Sequence, residues 1–188
     1  AVMVNSGSSA NLLSIASLFF LKNKPLKRGD EVIVPSVSWS TTYTPLQQYG
    51  LKLKFVDISL DTLNYDLEKL TNAISEKTRL IVAVNLLGNS NEFDRIEKMI
   101  KEKDIYLFED NCESMGAKFD SKFTGTFGIA GSLSTFFSHH ISTMEGGVVL
   151  TNNFELYNIM LSLRAHGWTR NLGIDNPLHK KSNNKFIE

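Results

Sequence analysis

The sequence predicts a three-layer α/β domain built on a mostly parallel sheet, on two observations. Short β-branched and aromatic runs alternate with stretches whose apolar residues recur at helical spacing. The chain's 188 residues, 42% apolar and 21% charged, suffice for one sizeable core. Taken in order, the opening residues Ala1 to Val4 read as a strand. After Gly7-Ser8-Ser9, the spacing of Leu12, Ile15, Ala16, Phe19 and Phe20 predicts an amphipathic helix with Ser8 or Ser9 near its N-cap. "EVIVP" (31–35), "LKFVDI" (53–58), "LIVAVN" (80–85) and "IYLFED" (105–110) read as strands, with helical patterns at 66–75 and 92–103. "SLSTFF" and "GGVVLT" add two more strands, and "FELYNIMLSLRAHG" is a helix closed by Gly167. No internal repeat or low-complexity segment breaks the pattern. In such open sheets a ligand is expected beyond the carboxyl ends of the strands.

Composition narrows the function classes. Lys plus Arg and Asp plus Glu are both 20, so no cationic excess argues for a nucleic acid or an anionic membrane as partner. Cys112 is the single cysteine and cannot form an intramolecular disulfide. No apolar run reaches the roughly 18 residues of a membrane span. The start lacks the basic and apolar regions of a signal peptide, so a cytoplasmic protein is expected. Ala1 at the start and the tail "KKSNNKFIE" suggest a fragment of a larger protein.

Several residues have the chemistry of a site. Asp110 closes a predicted strand at the ligand-binding edge, where a carboxylate can pair with a cationic ring nitrogen; a capping or turn aspartate is the alternative. Gly7-Ser8-Ser9 offers amides, hydroxyls and a helix N-terminus suited to a phosphate, although plain capping uses the same residues. Trp39, in "PSVSWSTT", can stack on a flat ring or anchor the following helix. His139 and His140 are adjacent, so in an extended segment only one faces a ligand. Without Cys or Glu at ligand spacing they suit acid/base work or hydrogen bonding rather than a metal. There is no G-x-S-x-G elbow and no Walker-type phosphate loop.

Six segments in order, "NSGSSAN", "GDEVIVPSVSW", "FVDIS", "LFEDNCESMGA", "SLSTFFSHHISTMEGG" and "SLRAHGWTR", resemble the DegT/DnrJ/EryC1/StrS sugar aminotransferase family. These are fold-type I enzymes dependent on pyridoxal 5'-phosphate, so residues 1–188 would be the large cofactor-binding domain. Preceding helices and a smaller C-terminal domain would be missing. The family's loop runs roughly S-F-x-x-x-K before E-G-G, and counting back from Glu145-Gly146-Gly147 puts the lysine position on His139. Imidazole keeps a base there and removes the covalent anchor, which resembles the nucleotide-4-keto-6-deoxysugar 3-dehydratases.

The resemblance implies further roles. The cofactor would cycle between pyridoxal and pyridoxamine 5'-phosphate, with glutamate as amino donor and a nucleotide-linked 4-keto-6-deoxysugar as substrate. The lone cysteine points to the type without an iron-sulfur cluster, which acts on GDP-4-keto-6-deoxymannose. Asp110 would meet the ring nitrogen, Trp39 would cover the ring, and Gly7, Ser8, Ser9 and Ser134 would hold the phosphate. Glu113 stands where relatives carry glutamine near the ring hydroxyl. Ser138 and His166 would contact substrate, though His166 also suits a helix C-terminus. A homodimer with shared active sites is expected. The competing readings are an aminotransferase that uses another lysine, although none lies between Lys122 and Lys180, and a catalytically silent cofactor-binding protein.

Overall fold

The computed structural model describes residues 1–170, 172 and 173; the polar tail read at 180–188 lies outside them. The chain forms β1 (Val2–Val4), α1 (Gly7–Leu18), β2 (Glu31–Pro35), α2 (Ser40–Gln48) and β3 (Lys52–Val56). There follow α3 (Leu67–Ala73), β4 (Thr78–Val84), α4 (Phe93–Ile100) and β5 (Tyr106–Asp110). A short hairpin, β6 (Lys118–Phe119) and β7 (Lys122–Phe123), precedes β8 (Ala130–Ser134), β9 (Gly147–Leu150) and α5 (Phe154–Arg164).

Seven strands form one sheet in the order β1-β9-β8-β5-β4-β2-β3. β9 runs antiparallel to both neighbours, and every other pairing is parallel. Strand alternation sorts the core to two faces. Val32, Val34, Leu80 and Val82 join residues of α1, α2 and α5, whereas Ile33, Ile81 and Ala83 join α3 and α4. The predicted three-layer architecture is therefore the observed one, with each internal strand bounded within a few residues of its predicted range.

Two local expectations need correction. α1 is not amphipathic in the predicted sense: Leu12 and Phe20 are 38% and 58% exposed, while Asn11, Ser14 and Ser17 are buried. The helix is enclosed on several sides, against β8, β9, α2 and α5. Its buried hydroxyls are satisfied internally, Ser14 donating to the Ala10 carbonyl and Ser17 to that of Ser14, each at 2.7 Å. The N-cap is Ser6, two residues before Ser8 and three before Ser9. Its extended backbone lets Oγ accept from the Ser9 amide at 3.0 Å. No described helix is long and apolar enough to cross a membrane.

Candidate active site

At the carboxyl edge of the parallel strands, the ends of β4, β5 and β8 and the starts of α1 and α2 surround a cleft of about 500 Å³. Gly7, Ser8, Trp39, Asp110, Glu113, Ser134, Ser138 and His139 all line it, although they are scattered over more than a hundred positions of sequence. Two predicted residues do not. The Ser9 amide is consumed by the Ser6 hydroxyl, and the Ser9 hydroxyl accepts from Ser6 at 3.1 Å. His166 lies just past α5 with a left-handed φ of 62°, its amide donating to the Leu163 carbonyl at 3.2 Å. It terminates a helix rather than facing the cleft.

One end of the cleft suits an anion. Gly7 and Ser8 occupy the first turn of α1, where amides have no intrahelical acceptor and the helix dipole is positive. Ser8 is exposed there, and Ser134 brings its hydroxyl from the end of β8. Glycine at position 7 follows from packing. A Cβ would fall 2.6 Å from Ser134 Cβ and 2.9 Å from Cys112 Sγ, closer than real contacts permit. Gly147 has the same cause: a Cβ there would meet the Ser6 carbonyl, where β9 passes beneath the start of α1. The second glycine of the E-G-G motif thus makes room for the start of α1.

Asp110 is 6% exposed at the end of β5. Its Oδ2 accepts from Asn11 Nδ2 and Thr42 Oγ1, each at 2.8 Å; Oδ1 receives longer contacts from the Cys112 amide (3.3 Å) and Ser132 Oγ (3.5 Å). It is neither a helix cap nor a solvated turn residue. Among the described residues no cationic side chain pairs with it, so a buried carboxylate faces the cleft without counter-charge. A protonated ring nitrogen would supply that charge, and a phosphate would meet the α1 turn. Both ends of pyridoxal phosphate therefore fit the residues present. Trp39 sits at the N-cap of α2 and is 71% exposed, which rules out a buried anchor and leaves its ring free to cover a ligand.

His139 is carried on a loop between β8 and β9. The loop's neck is fastened by Thr135 and Thr143, whose hydroxyls lie 2.7 Å apart, by the Thr143 amide on the Thr135 carbonyl, and by the Thr135 amide on the Gly146 carbonyl, both at 2.9 Å. Residues 137–140 turn rather than extend, so strand alternation does not separate the two histidines. The half-buried His139 lines the main cleft. Exposed His140 lines only a shallower recess beside it, shared with Leu87, Glu113, Ser138 and His139. Phe136 supports His139 edge-on, with ring centres 6.3 Å apart and its carbonyl accepting the His139 amide at 2.9 Å. Glu113 accepts from the Leu87 amide at 3.4 Å and in this arrangement acts as an acceptor.

Four contributors escaped the sequence reading. Asn11 and Thr42 reach the site from α1 and α2, and Ser38 from the loop before α2, as polar residues no periodicity singles out. Glu109, adjacent to Asp110 but on the opposite face of β5, is fully buried. It accepts from the amides of Gly125, Phe127 and Gly128 at 2.5, 2.6 and 2.8 Å. Burial pushes its carboxyl above the usual carboxylate range, against the pull of those amides. Burial likewise pushes the Cys112 thiol far up, making it an inert wall of the cleft.

The chain is 66% identical over 172 residues to GDP-4-keto-6-deoxy-D-mannose 3-dehydratase of Yersinia pseudotuberculosis, an alignment covering 92% of this chain and 44% of that protein. It is 60% identical over 189 aligned residues to the enzyme of the same name from Escherichia coli O55:H7, covering 100% of this chain and 49% of that one. The chain thus spans about half the length of these curated relatives. A crystal structure of GDP-4-keto-6-deoxymannose-3-dehydratase with a trapped PLP-glutamate geminal diamine superposes with a TM-score of 0.89 at 63% identity, over 92% of this chain and 45% of that one. Residues 1–184 match a single family throughout, and the chain belongs to the DegT/DnrJ/EryC1/StrS aminotransferase family.

Proposed function

We propose that this chain is the cofactor-binding half of a pyridoxal phosphate-dependent 3-dehydratase. Its substrate would be a nucleotide-linked 4-keto-6-deoxysugar, GDP-4-keto-6-deoxy-D-mannose, and its product the 4-keto-3,6-dideoxysugar. The observation that carries this is His139 in the cleft, at the family's lysine position, with no lysine among the described lining residues. Similarity to the two dehydratases supports the substrate.

When bound, the cofactor supplies an electron sink and carries the nitrogen given by glutamate. The chain's residues divide the remaining work. The first-turn amides of Gly7 and Ser8 and the hydroxyls of Ser8 and Ser134 hold the phosphate, Asp110 holds the ring nitrogen's proton, and Trp39 shields the ring face. Ser138, which lines the cleft, contacts the sugar in this reading. The His139 imidazole is the general acid/base: it would accept a proton at the cofactor carbon that bears the nitrogen and donate one to the C3 hydroxyl as it leaves as water. With no lysine among the described lining residues, no side chain of this cleft anchors the cofactor aldehyde covalently. Overall, glutamate provides two electrons and leaves as 2-oxoglutarate, ammonia is released, and C3 loses oxygen and gains hydrogen.

The full-length protein is cytoplasmic in this reading, and it works as a homodimer whose partner completes the pockets around the exposed Trp39 and His140. Incubation with cofactor, glutamate and the GDP-4-ketosugar tests the activity. Free ammonia and a 3-deoxy product are expected. An amino group retained on the sugar would make the protein an aminotransferase, and failure to bind the cofactor would make it catalytically silent.

A further inference from the structure

Asn11 and Thr42 have no part in the reaction just described, yet both converge on one oxygen of its ring-nitrogen partner. We infer that they are positioning residues, which fix Asp110 so that the proton shared with the bound cofactor stays on the ring nitrogen; this rests on the function proposed above.

The three side chains come from α1, α2 and β5 and are 1%, 3% and 6% exposed. The orientation of the Asn11 amide is settled by chemistry. One Nδ2 proton goes to Asp110 Oδ2 at 2.8 Å and the other to the Thr41 carbonyl at 3.3 Å. Flipping the amide would set its oxygen against two acceptors. The Thr41 carbonyl is available because Pro45, four residues later within α2, has no N–H to give it. Asn11 Oδ1 is left buried with no partner, so the amide is held in place for its two donated bonds.

Thr42 has a single hydroxyl proton, committed to Asp110, so the 2.8 Å contact between its oxygen and Ser38 Oγ is donated by Ser38. A directed chain therefore runs from Ser38 through Thr42 to Asp110, and Ser38 immediately precedes Trp39. Each bond in such a chain strengthens the next. Oδ2 is saturated by two short neutral donors, while Oδ1, with only long contacts, keeps its acceptor capacity for a ligand. Held this way by two short donors, Asp110 presents Oδ1 to the ring nitrogen's proton. Without them the carboxylate can turn away, the ring nitrogen loses its partner, and the electron sink weakens.

The test uses the full-length protein loaded with pyridoxal phosphate labelled with ¹⁵N in the ring. The nitrogen chemical shift reports whether the ring is protonated. Wild type is expected to show a protonated ring at neutral pH. The near-isosteric Thr42→Val and Asn11→Leu are each expected to move the signal toward the unprotonated value and to weaken cofactor binding by about tenfold, in line with one lost bond to a charged group. Thr42→Ser, which keeps the hydroxyl, should restore both readouts. Thr42→Val preserves volume, so it remains informative if Asn11→Leu does not fold. Variants that bind more weakly or melt earlier but keep the wild-type nitrogen signal would reduce the pair to plain packing and overturn the inference. A wild-type protein that does not bind the cofactor would overturn the function reading first, and this one with it.

Discussion

Replacing Gly7 by alanine is a one-carbon change whose effect can be worked out from the structure. The added Cβ would lie 2.6 Å from Ser134 Cβ, 2.9 Å from Cys112 Sγ and 3.1 Å from Ser134 Oγ. Ser134 Cβ is rigidly attached to β8 within the sheet, and the half-buried Cys112 packs its thiol against Ser132 Oγ at 3.8 Å. Neither can move far, so the start of α1 must retreat until 2.6 Å becomes at least the 3.4 Å of ordinary contact. Overpacking of this kind costs about 1–3 kcal/mol. At roughly 2–4 °C per kcal/mol for a domain of this size, the melting temperature should fall by about 2–12 °C. The same retreat carries the amides of Gly7 and Ser8 away from Ser134, so the cofactor Kd should rise by about tenfold, or ~1.4 kcal/mol. Differential scanning calorimetry and a fluorescence titration with pyridoxal phosphate read the two effects separately. The sign is informative: a glycine that tolerates alanine usually gains about 0.4–1 kcal/mol from the stiffer unfolded chain. A higher melting temperature with an unchanged Kd would refute the packing account of this turn.

Three other perturbations probe separate parts of the site. His139→Lys should lower dehydration by at least about 10²-fold, the usual contribution of a general acid/base. It should also yield a borohydride-reducible bond to the cofactor aldehyde, detected by mass spectrometry; full dehydration by this variant would clear His139 of its role. Trp39→Ala should leave melting unchanged, because the ring is 71% exposed, and weaken cofactor binding by about 2–12-fold, as expected for one aromatic contact of ~0.5–1.5 kcal/mol. For Glu109, burial raises the folded pKa above its ordinary value of 4.5. The folded state then keeps a proton that the unfolded chain has released, so this group's stabilisation is complete below about 4.5 and declines as pH climbs through the raised value. Glu109→Gln should cost about 1–3 kcal/mol, because its NH₂ must face amide donors, and the gap from wild type should narrow as pH rises across that window. A gap constant from pH 4 to 7 would contradict it.

The sheet was legible because its signal is local. Val32, Ile33 and Val34 announce a strand buried on both faces without reference to anything distant, as do Leu80 to Val84. α1 was harder to read, since Asn11, Ser14 and Ser17 are buried for reasons that lie in β8, α2 and α5 rather than in their own spacing. The cap moved to Ser6 because the choice among three serines within four residues depends on where the preceding strand ends. In the site, residues whose chemistry is unusual for their position could be named in advance: a carboxylate ending an apolar strand, a tryptophan in a loop, a histidine before E-G-G. Asn11 and Thr42 could not. Each bonds to Asp110 across 99 and 68 residues of chain, and nothing around either position marks it as more than a polar helix residue.

The threonine neck beneath His139 has a consequence for how such enzymes diverge. Thr135, Thr143 and Gly146 close the loop through hydroxyl and main-chain contacts of their own, without calling on the side chains at 138–141. The scaffold is thereby insulated from the identity of its reactive group, much as a socket is indifferent to the tool it holds. On the function proposed above, amino transfer and deoxygenation would then be separable by a local exchange at the tip, with the strands, the first turn of α1 and Asp110 kept as they are.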